Sequence, residues 1–474
     1  EREFGLSVVE RLDVELKRRG DIFRSAGTAN IAEYRTKTDR QIPRVLLVVD
    51  EFQEFFTQDD HIARQTTLLL DRLVRQGRAF GIHIILGSQT LAGNYNLSRG
   101  TLDQMAVRIA MQCSEADSHL ILSDDNPAAR LLSRPGEAIY NSASGLIEGN
   151  NLFQVARFSE ADASECLELV TKIASDSGLQ IPVPIVFEGN ELAHLADCRR
   201  IQTLLDSPVW SDRRTVELLL GDPIAIKEPV AAPVRRQSGS HLLVLSRDEG
   251  EGIGLCISSI ISIVLQEKPA DAEIFIANFA MADSEWATCG DDIEKWFPHS
   301  VKVLSRQQEV VETVEALAVE VSRRSSVPPD GRNIYLVIHG LHRVRVLRGD
   351  YNPPGDEGGR PTPAENFSSI LRDGSEVGVH VIAWCDTYSN AVRVVERRMM
   401  TEFGLRVGGA MSADDSMGFF DDAAASRIDK PHRSLFLQED RPGQLEKFRP
   451  YSIPPREWLE VVGRKLHTRC AGRG

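Results

Sequence analysis

The chain has 474 residues, of which 42% are hydrophobic and 26% charged, with 35 Gly and 22 Pro. That length gives room for about two to four domains, and the composition excludes a disordered, collagen-like or disulfide-scaffold protein. The net charge of −14 argues against tight nucleic-acid binding by bulk charge, although a ring can still concentrate basic side chains in a pore.

The longest apolar run, near Ile257–Leu265, is interrupted by Ser258, Ser259 and Ser262. It is too short to cross a bilayer, so no transmembrane helix is expected. No signal peptide opens the chain. The cysteines (Cys113, Cys166, Cys198, Cys256, Cys289, Cys385 and Cys470) are scattered without CxxC spacing. Neither a zinc site nor a disulfide framework is expected, and a reducing, cytoplasmic setting fits. The first residue is Glu1 rather than Met, which suggests a piece of a longer protein.

In chain order, residues 6–25 have apolar residues at helical spacing, with Gly27 and Asn30 as breakers. RVLLVVDEFQEFF (44–56) carries five apolar residues, Val45 to Val49, followed by Asp50 and Glu51. Such a run predicts a strand buried on both faces of a parallel sheet. A helix over 60–79 leads to a second buried strand in GIHIILGSQT (81–90). Further strands are expected at 108–113, 136–141 and 152–158, then a closing helix at 159–176. Alternating strands and helices predict an α/β domain with a mainly parallel sheet. Residues 177–238 are rich in proline and read as a connector with helices at 192–206 and 214–219. A second α/β pattern starts at HLLVLS (241–246).

The second half repeats the first. GIHIILGSQT (81–90) matches GVHVIAWCDT (378–387), an offset of 297. RIAMQCSEADS (108–118) matches RVGGAMSADDS (406–416), an offset of 298, and LLSRP (131–135) echoes RIDKP (427–431), an offset of 296. VLLVVDEF (45–52) lies opposite IYLVIHGL (334–341), an offset of 289, with the extra residues in the Gly/Pro-rich loop Gly349–Pro363.

An apolar strand ending in Asp-Glu has the pattern of a Walker B motif: the Asp orients Mg²⁺ and the neighbouring carboxylate polarises a water. The second strand ends in Ser88-Gln89, where Gln89 would face the γ-phosphate. Ligands of open α/β sheets bind outside the strand carboxyl ends, so these residues form one expected site.

On these blocks, and on RLVRQGRAFGIHIILGSQT and LLSRPGEAIY, residues 8–158 resemble the FtsK/SpoIIIE-type P-loop ATPases of the FtsK–HerA group. Residues 241–450 look like a diverged copy, and tandem copies are also similar to the EccC-type ATPases of type VII protein export. The resemblance implies two RecA-like P-loop modules, the first truncated at its N-terminus and the second degenerate. The boundaries are 1–176 for the first module, 177–238 for the connector, 239–460 for the second module and 461–474 for a tail.

The resemblance further implies ATP and Mg²⁺ as cofactors, with Asp50 and Ser88 binding, Asp50 holding the metal through water, and Glu51 and Gln89 catalytic. It implies a ring, taken as a hexamer, whose site is completed by an arginine in trans from among Arg75, Arg78 and Arg108. Double-stranded DNA is the expected translocated polymer, with a secreted protein as the alternative and a non-catalytic interaction fragment as a third reading. No membrane segment is expected in this chain, and any membrane association would come from outside it.

No GxxxxGK[ST] occurs, so the phosphate loop of the first module is expected upstream of Glu1 and the chain alone should be inactive. In the second module, Gly250, Gly252, Ile253 and Gly254 stand where the loop belongs, His339 where the Asp-Glu belongs and Asp386 at the sensor position. All three elements depart from the pattern, so this module is expected to be catalytically dead, with an open cleft for a basic or apolar partner. His83, His339 and His380 are expected to be packed or solvated.

Overall fold

The computed structural model describes residues 1–91, 99–178, 184–187, 189–210, 214–281, 284, 286, 290–327, 331–351, 360–441 and 444–471. Parts of the expected connector and of the 349–363 loop, and Cys289, lie outside these residues. The chain divides into two compact units, Glu1–Phe187 and Glu188–Gly474.

Unit 1 opens with the helix Arg2–Ala26, stopped by Gly27 in the left-handed region, a conformation glycine adopts without steric cost. Asn30 then caps the helix Ile31–Thr38 through its side chain. Strands β1 (Val45–Val49) and β2 (Ile82–Leu86) pair in parallel, Val49 opposite Leu86. The helix between them, His61–Gln76, is capped by Asp60. Leu6, Val9, Leu16, Leu47, Leu70 and Leu73 share one core, so helices cover one face of this sheet. On the other face Leu46 is 59% exposed, Val48 61% and Ile85 53%. The expectation of burial on both faces therefore does not hold for unit 1.

Nor do the strands of unit 1 form one sheet. β3 (Arg108–Met111), β4 (Glu137–Asn141) and β5 (Asn150–Gln154) make a separate antiparallel meander. The closing helix Glu160–Asp176 has a capping box at Ser159 and buries none of its residues.

Unit 2 has one sheet of ten strands among the described residues. These are β6 (Val216–Pro223), β7 (Val230–Val234), β8 (Leu242–Leu245), β9 (Ala272–Asn278), β10 (Ser300–Leu304), β11 (Asn333–His339), β12 (Val379–Cys385), β13 (Leu405–Gly408), β14 (Ser434–Gln438) and β15 (Leu445–Pro450). The order is β10-β9-β11-β12-β8-β13-β14-β15-β6-β7; the pairings from β10 to β13 are parallel and the rest antiparallel. It is a mixed α/β fold with a large, mainly parallel sheet.

Every residue of β8 and β12 is buried, as expected for strands with helices on both faces. Among the described residues one helix, Glu249–Gln266, is long and apolar enough to cross a membrane, but it lies in the core.

Two boundaries differ from the sequence reading. Residues 216–234, placed in a connector and partly expected to be helical, form the β6–β7 hairpin and extend the large sheet. VELLL has no turn signal separating helix from strand; it pairs with β7, and Gly221–Pro223 join the hairpin to β15. Residues 461–471, expected as a tail, belong to the helix Arg456–Ala471, which buries Leu459, Val462 and Leu466.

The internal repeat is visible in the pairing. β1 and β2 are parallel neighbours, as are β11 and β12. The meander β3-β4-β5 repeats as β13-β14-β15. What differs is the middle: in unit 2, β8 pairs with both β12 and β13, whereas in unit 1 the counterparts β2 and β3 lie in different sheets.

Candidate functional site

In unit 1 the parallel register puts the ends of β1 and β2 side by side. Asp50 and Glu51 leave β1 where Gly87, Ser88 and Gln89 leave β2. The Gly87 N–H donates to Val49 O at 2.8 Å and the Phe52 N–H to Gly87 O at 3.1 Å, locking the two turns together. A Cβ on Gly87 would stand 3.2 Å from Asp50 Oδ1, so glycine allows the close approach. Asp50 is exposed at the strand tip.

Glu51 has φ 52 and ψ 46, the left-handed region that a non-glycine residue adopts at a cost of about 1–2 kcal/mol. That backbone turns its carboxylate toward the end of β2. The Gln53 side-chain amide donates to Glu51 Oε2, and the Gln89 backbone and side chain add further hydrogen bonds. Led by Gln53, these donors favour the carboxylate and hold Glu51 below the ordinary range, against a smaller opposing effect of burial. Ser88 Oγ donates to Gln53 Oε1 at 2.6 Å, closing the network. The structure thus brings together Asp50, Glu51, Ser88 and Gln89. It adds Gln53, which sequence reasoning passed over; its signal was its position two residues past Glu51, on the short turn Phe52–Phe56.

The candidate arginines separate clearly. Arg75 is paired with Asp71 at 2.8 Å. Arg108 is not free to act in trans: its guanidinium donates to Met105 O, Ile121 O, Leu122 O and Leu102 O. Arg406 does the same with Phe403 O, Phe419 O and Met400 O, each 298 residues further on. Both arginines tie the meander to its neighbouring turns. Arg78 is exposed and, among the described residues, makes no side-chain ion pair.

In unit 2 the corresponding edge is filled. Only Ser246, Arg247 and Asp248 separate β8 from the next helix, which starts at Glu249 with Asp248 as its cap. Gly250, Gly252, Ile253 and Gly254 all lie within that helix, and Ile253 is buried in the core. A Cβ on Gly252 would fall inside the Trp384 indole, and one on Gly254 against the Tyr451 carbonyl. These two glycines therefore serve close packing rather than phosphate binding. The Trp384 indole N–H donates to Ser246 O at 2.9 Å. Arg343 lies over the Trp384 ring and pairs with Glu249 at 2.8 Å.

Glu251 accepts from Ser246 Oγ at 2.7 Å and from Ser434, and burial pushes its carboxyl up. His339, at the end of β11, accepts from the Trp286 indole N–H at 3.1 Å, and burial lowers it to about 4. His380 is buried against Tyr335 with Nδ1 at 2.9 Å from Ser240 O, whereas His83 is exposed on β2. Gly340, the counterpart of Glu51, has φ 85.

The cavity beside Ser246, Asp386 and Tyr388 holds about 10 Å³, hardly the volume of one water. Among the described residues, the side chains of Trp384 and Arg343 and the ion pair of Arg343 with Glu249 occupy the place near Gly250–Gly254 where an open cleft was expected. A fold-level alignment could not reveal this, because Trp286, Trp384 and Arg343 come from three distant segments.

No protein-family profile matches the chain. By sequence, it is 30% identical over 111 residues to the ESX-5 secretion system protein EccC5 of Mycobacterium marinum, covering 22% of this chain and 8% of that protein. It is 28% identical over 199 residues to the ESX secretion system protein EccC of Geobacillus thermodenitrificans, covering 38% of this chain and 12% of that protein. The chain therefore spans a small part of these relatives.

By structure, it is similar to the cytoplasmic domain of the type VII secretion ATPase EccC of Thermomonospora curvata, with a TM-score of 0.63 and 18% identity, covering 98% of this chain and 55% of that one. ATPases 2 and 3 of Geobacillus thermodenitrificans EssC give 0.55 with 12% identity, covering 94% and 78%. ATPases 2 and 3 of Thermomonospora curvata EccC, in complex with a signal sequence peptide, give 0.55 with 14% identity, covering 95% and 77%. The chain thus has the fold of the tandem P-loop ATPase modules of the EccC and EssC cytoplasmic domains, and it resembles EccC proteins in sequence over part of its length.

Proposed function

We propose that the chain is part of an EccC-like ATPase that drives protein export, with unit 1 contributing to a hydrolytic site and unit 2 a module without one. What carries this reading is the meeting of Glu51 and Gln89 at the carboxyl edge of β1 and β2. The sequence relatives are secretion-system proteins, which favours export over the DNA translocation implied by the FtsK-like resemblance.

The residues present fit part of a nucleotide site. Mg²⁺-ATP supplies the phosphoryl group and the metal charge when bound. Asp50 would hold the metal, through water, at the strand tip. Glu51, ionised and aimed by Gln53 and Gln89, would take a proton from the attacking water at its carboxylate. Gln89 would orient that water beside the γ-phosphate. Among the described residues of unit 1, β2 and β3 lie in separate sheets with no strand joining them, and no glycine-rich phosphate loop follows a strand. A strand, phosphate loop and helix equivalent to β8 and its successor, supplied by sequence outside this chain, would join the two small sheets and cover the exposed Leu46, Val48 and Ile85. Arg78 is the candidate for completing a neighbour's site in a ring.

In the full-length protein, Glu51→Gln is expected to retain ATP binding and lower hydrolysis by about 10²–10⁴-fold, with loss of export of a signal-bearing substrate. Unchanged turnover would overturn the assignment of Glu51. Salt-dependent binding of double-stranded DNA, with export intact in a hydrolysis-dead variant, would overturn the export reading.

A further inference from the structure

The network of unit 1 has a counterpart in unit 2 that uses different chemistry. Gln53 corresponds to His342 at the offset of 289, and Ser88 and Gln89 correspond to Cys385 and Asp386 at 297. In unit 1 these positions hold two amides and a hydroxyl joined by hydrogen bonds. In unit 2 all three have become residue types that ligate metals, and the fold still brings them together. His342 Nδ1 lies 3.6 Å from Asp386 Oδ1, and Cys385 Sγ lies 3.6 Å from the same oxygen. The three donor atoms fall within 4.8 Å of one another. Around a tetrahedral zinc ion, with bonds of about 2.0–2.3 Å, donors stand roughly 3.3–3.7 Å apart.

We propose that His342, Cys385 and Asp386 form a site for a zinc-class divalent transition metal at the carboxyl edge of unit 2. Imidazole, thiolate and carboxylate together suit Zn²⁺ or Co²⁺, whereas Mg²⁺ and Ca²⁺ take oxygen donors. The existing contacts of the sulfur and the imidazole are weak, while Asp386 Oδ1 also accepts from the Thr387 hydroxyl at 3.2 Å, a bond the ion would have to share or displace. The Cys385 thiol donates only weakly, at 3.6 Å to Asp386 and 3.5 Å to Thr387 O. The Asp386 N–H reaches His342 Nδ1 at a long 3.4 Å.

Asp386 is held in place by Asn390, whose amide lies 2.9 Å from each carboxylate oxygen; such outer-shell support is typical of metal ligands. Asp386 and His342 are part-exposed, so an ion can enter and a water can take the fourth position. On binding, the Cys385 S–H bond breaks, a sulfur–metal bond forms and the proton leaves to solvent. The bound ion would fasten the turn Leu341–Arg343 to the end of β12, where unit 1 uses side-chain hydrogen bonds. This inference does not depend on the export reading.

The test uses the full chain, freed of metal and titrated with Co²⁺ and with Zn²⁺ against a chelator. One equivalent should bind, with a thiolate-to-cobalt charge-transfer absorption and a raised melting midpoint. Cys385→Ser should abolish that absorption. His342→Gln and Asp386→Gln, which restore the residues of unit 1, should each weaken binding at least tenfold. Because His342 and Asp386 are part-exposed, these two variants decide the matter should Cys385→Ser fail to fold. Absence of the thiolate absorption in the wild type, or tight binding that survives His342→Gln and Asp386→Gln, would overturn the proposal.

Discussion

Two positions tell the histories of the two units apart. Arg108 and Arg406 bind the same carbonyls, residue for residue, although almost everything around them has changed. Glu51 and Gly340 share a left-handed backbone, yet one position carries a strained carboxylate and the other a glycine, which fits without strain. A half-buried guanidinium that satisfies several carbonyls cannot be lost without leaving them unpaired. A strained side chain persists only while something requires it. The comparison therefore separates what holds the fold from what performs chemistry.

The comparison can be broken most forcefully with acid. Unit 2 buries His241, His299, His339 and His380, and burial lowers them to between about 3 and 4. Their unfolded counterparts take up protons from about pH 6.5 downward. The unfolded chain then binds more protons than the folded one, so this stabilisation is complete above about pH 6.5 and is lost as pH falls toward 4. Glu267, raised to about 7 by burial, acts in the opposite sense between about pH 4.5 and 7, and Glu251 is also raised. The histidines outnumber them, so the melting of unit 2, followed by its buried tryptophans, should shift downward on acidification from pH 6.5 to 5. A constant melting midpoint over that range would show that these histidines are not buried neutral.

A smaller effect is expected at the shared arginine. Arg108→Met and Arg406→Met should each destabilise their own unit by about 1–3 kcal/mol, because part-buried carbonyls lose their donors. Denaturant titration of the two variants checks this. Equal losses would sharpen the view of a common scaffold, whereas a loss at one site alone would break it.

The smallest effect lies at the strained turn and has opposite signs. Glu51→Gly should stabilise unit 1 by about 1 kcal/mol by relieving the left-handed strain. Gly340→Ala should destabilise unit 2 by a similar amount, since its φ is positive and a Cβ would meet Arg343 and the Phe279 carbonyl at 3.3 Å. Thermal melts of the full chain with these two substitutions test the pair. A destabilising Glu51→Gly would mean that its hydrogen bonds to Gln53 and Gln89 outweigh the strain.

Much of this was open to inspection in the sequence. Val45–Val49 and Ile82–Leu86 are strands because continuous β-branched and aliphatic runs have few other ways to be buried, and Asp50, Glu51 and Gln89 follow them directly. The repeat was legible because side chains that fix a fold recur at near-constant spacing. Tertiary structure alone decided the rest. Whether 216–234 joined the large sheet depended on β15, more than two hundred residues away. Whether the second cleft was open depended on Trp286, Trp384 and Arg343 converging from separate segments. That His342 stands beside Cys385 and Asp386 follows from the parallel pairing of β11 and β12, which no local spacing records. Local pattern sets which face of an element is apolar; only long-range pairing sets which residues stand next to one another at its end.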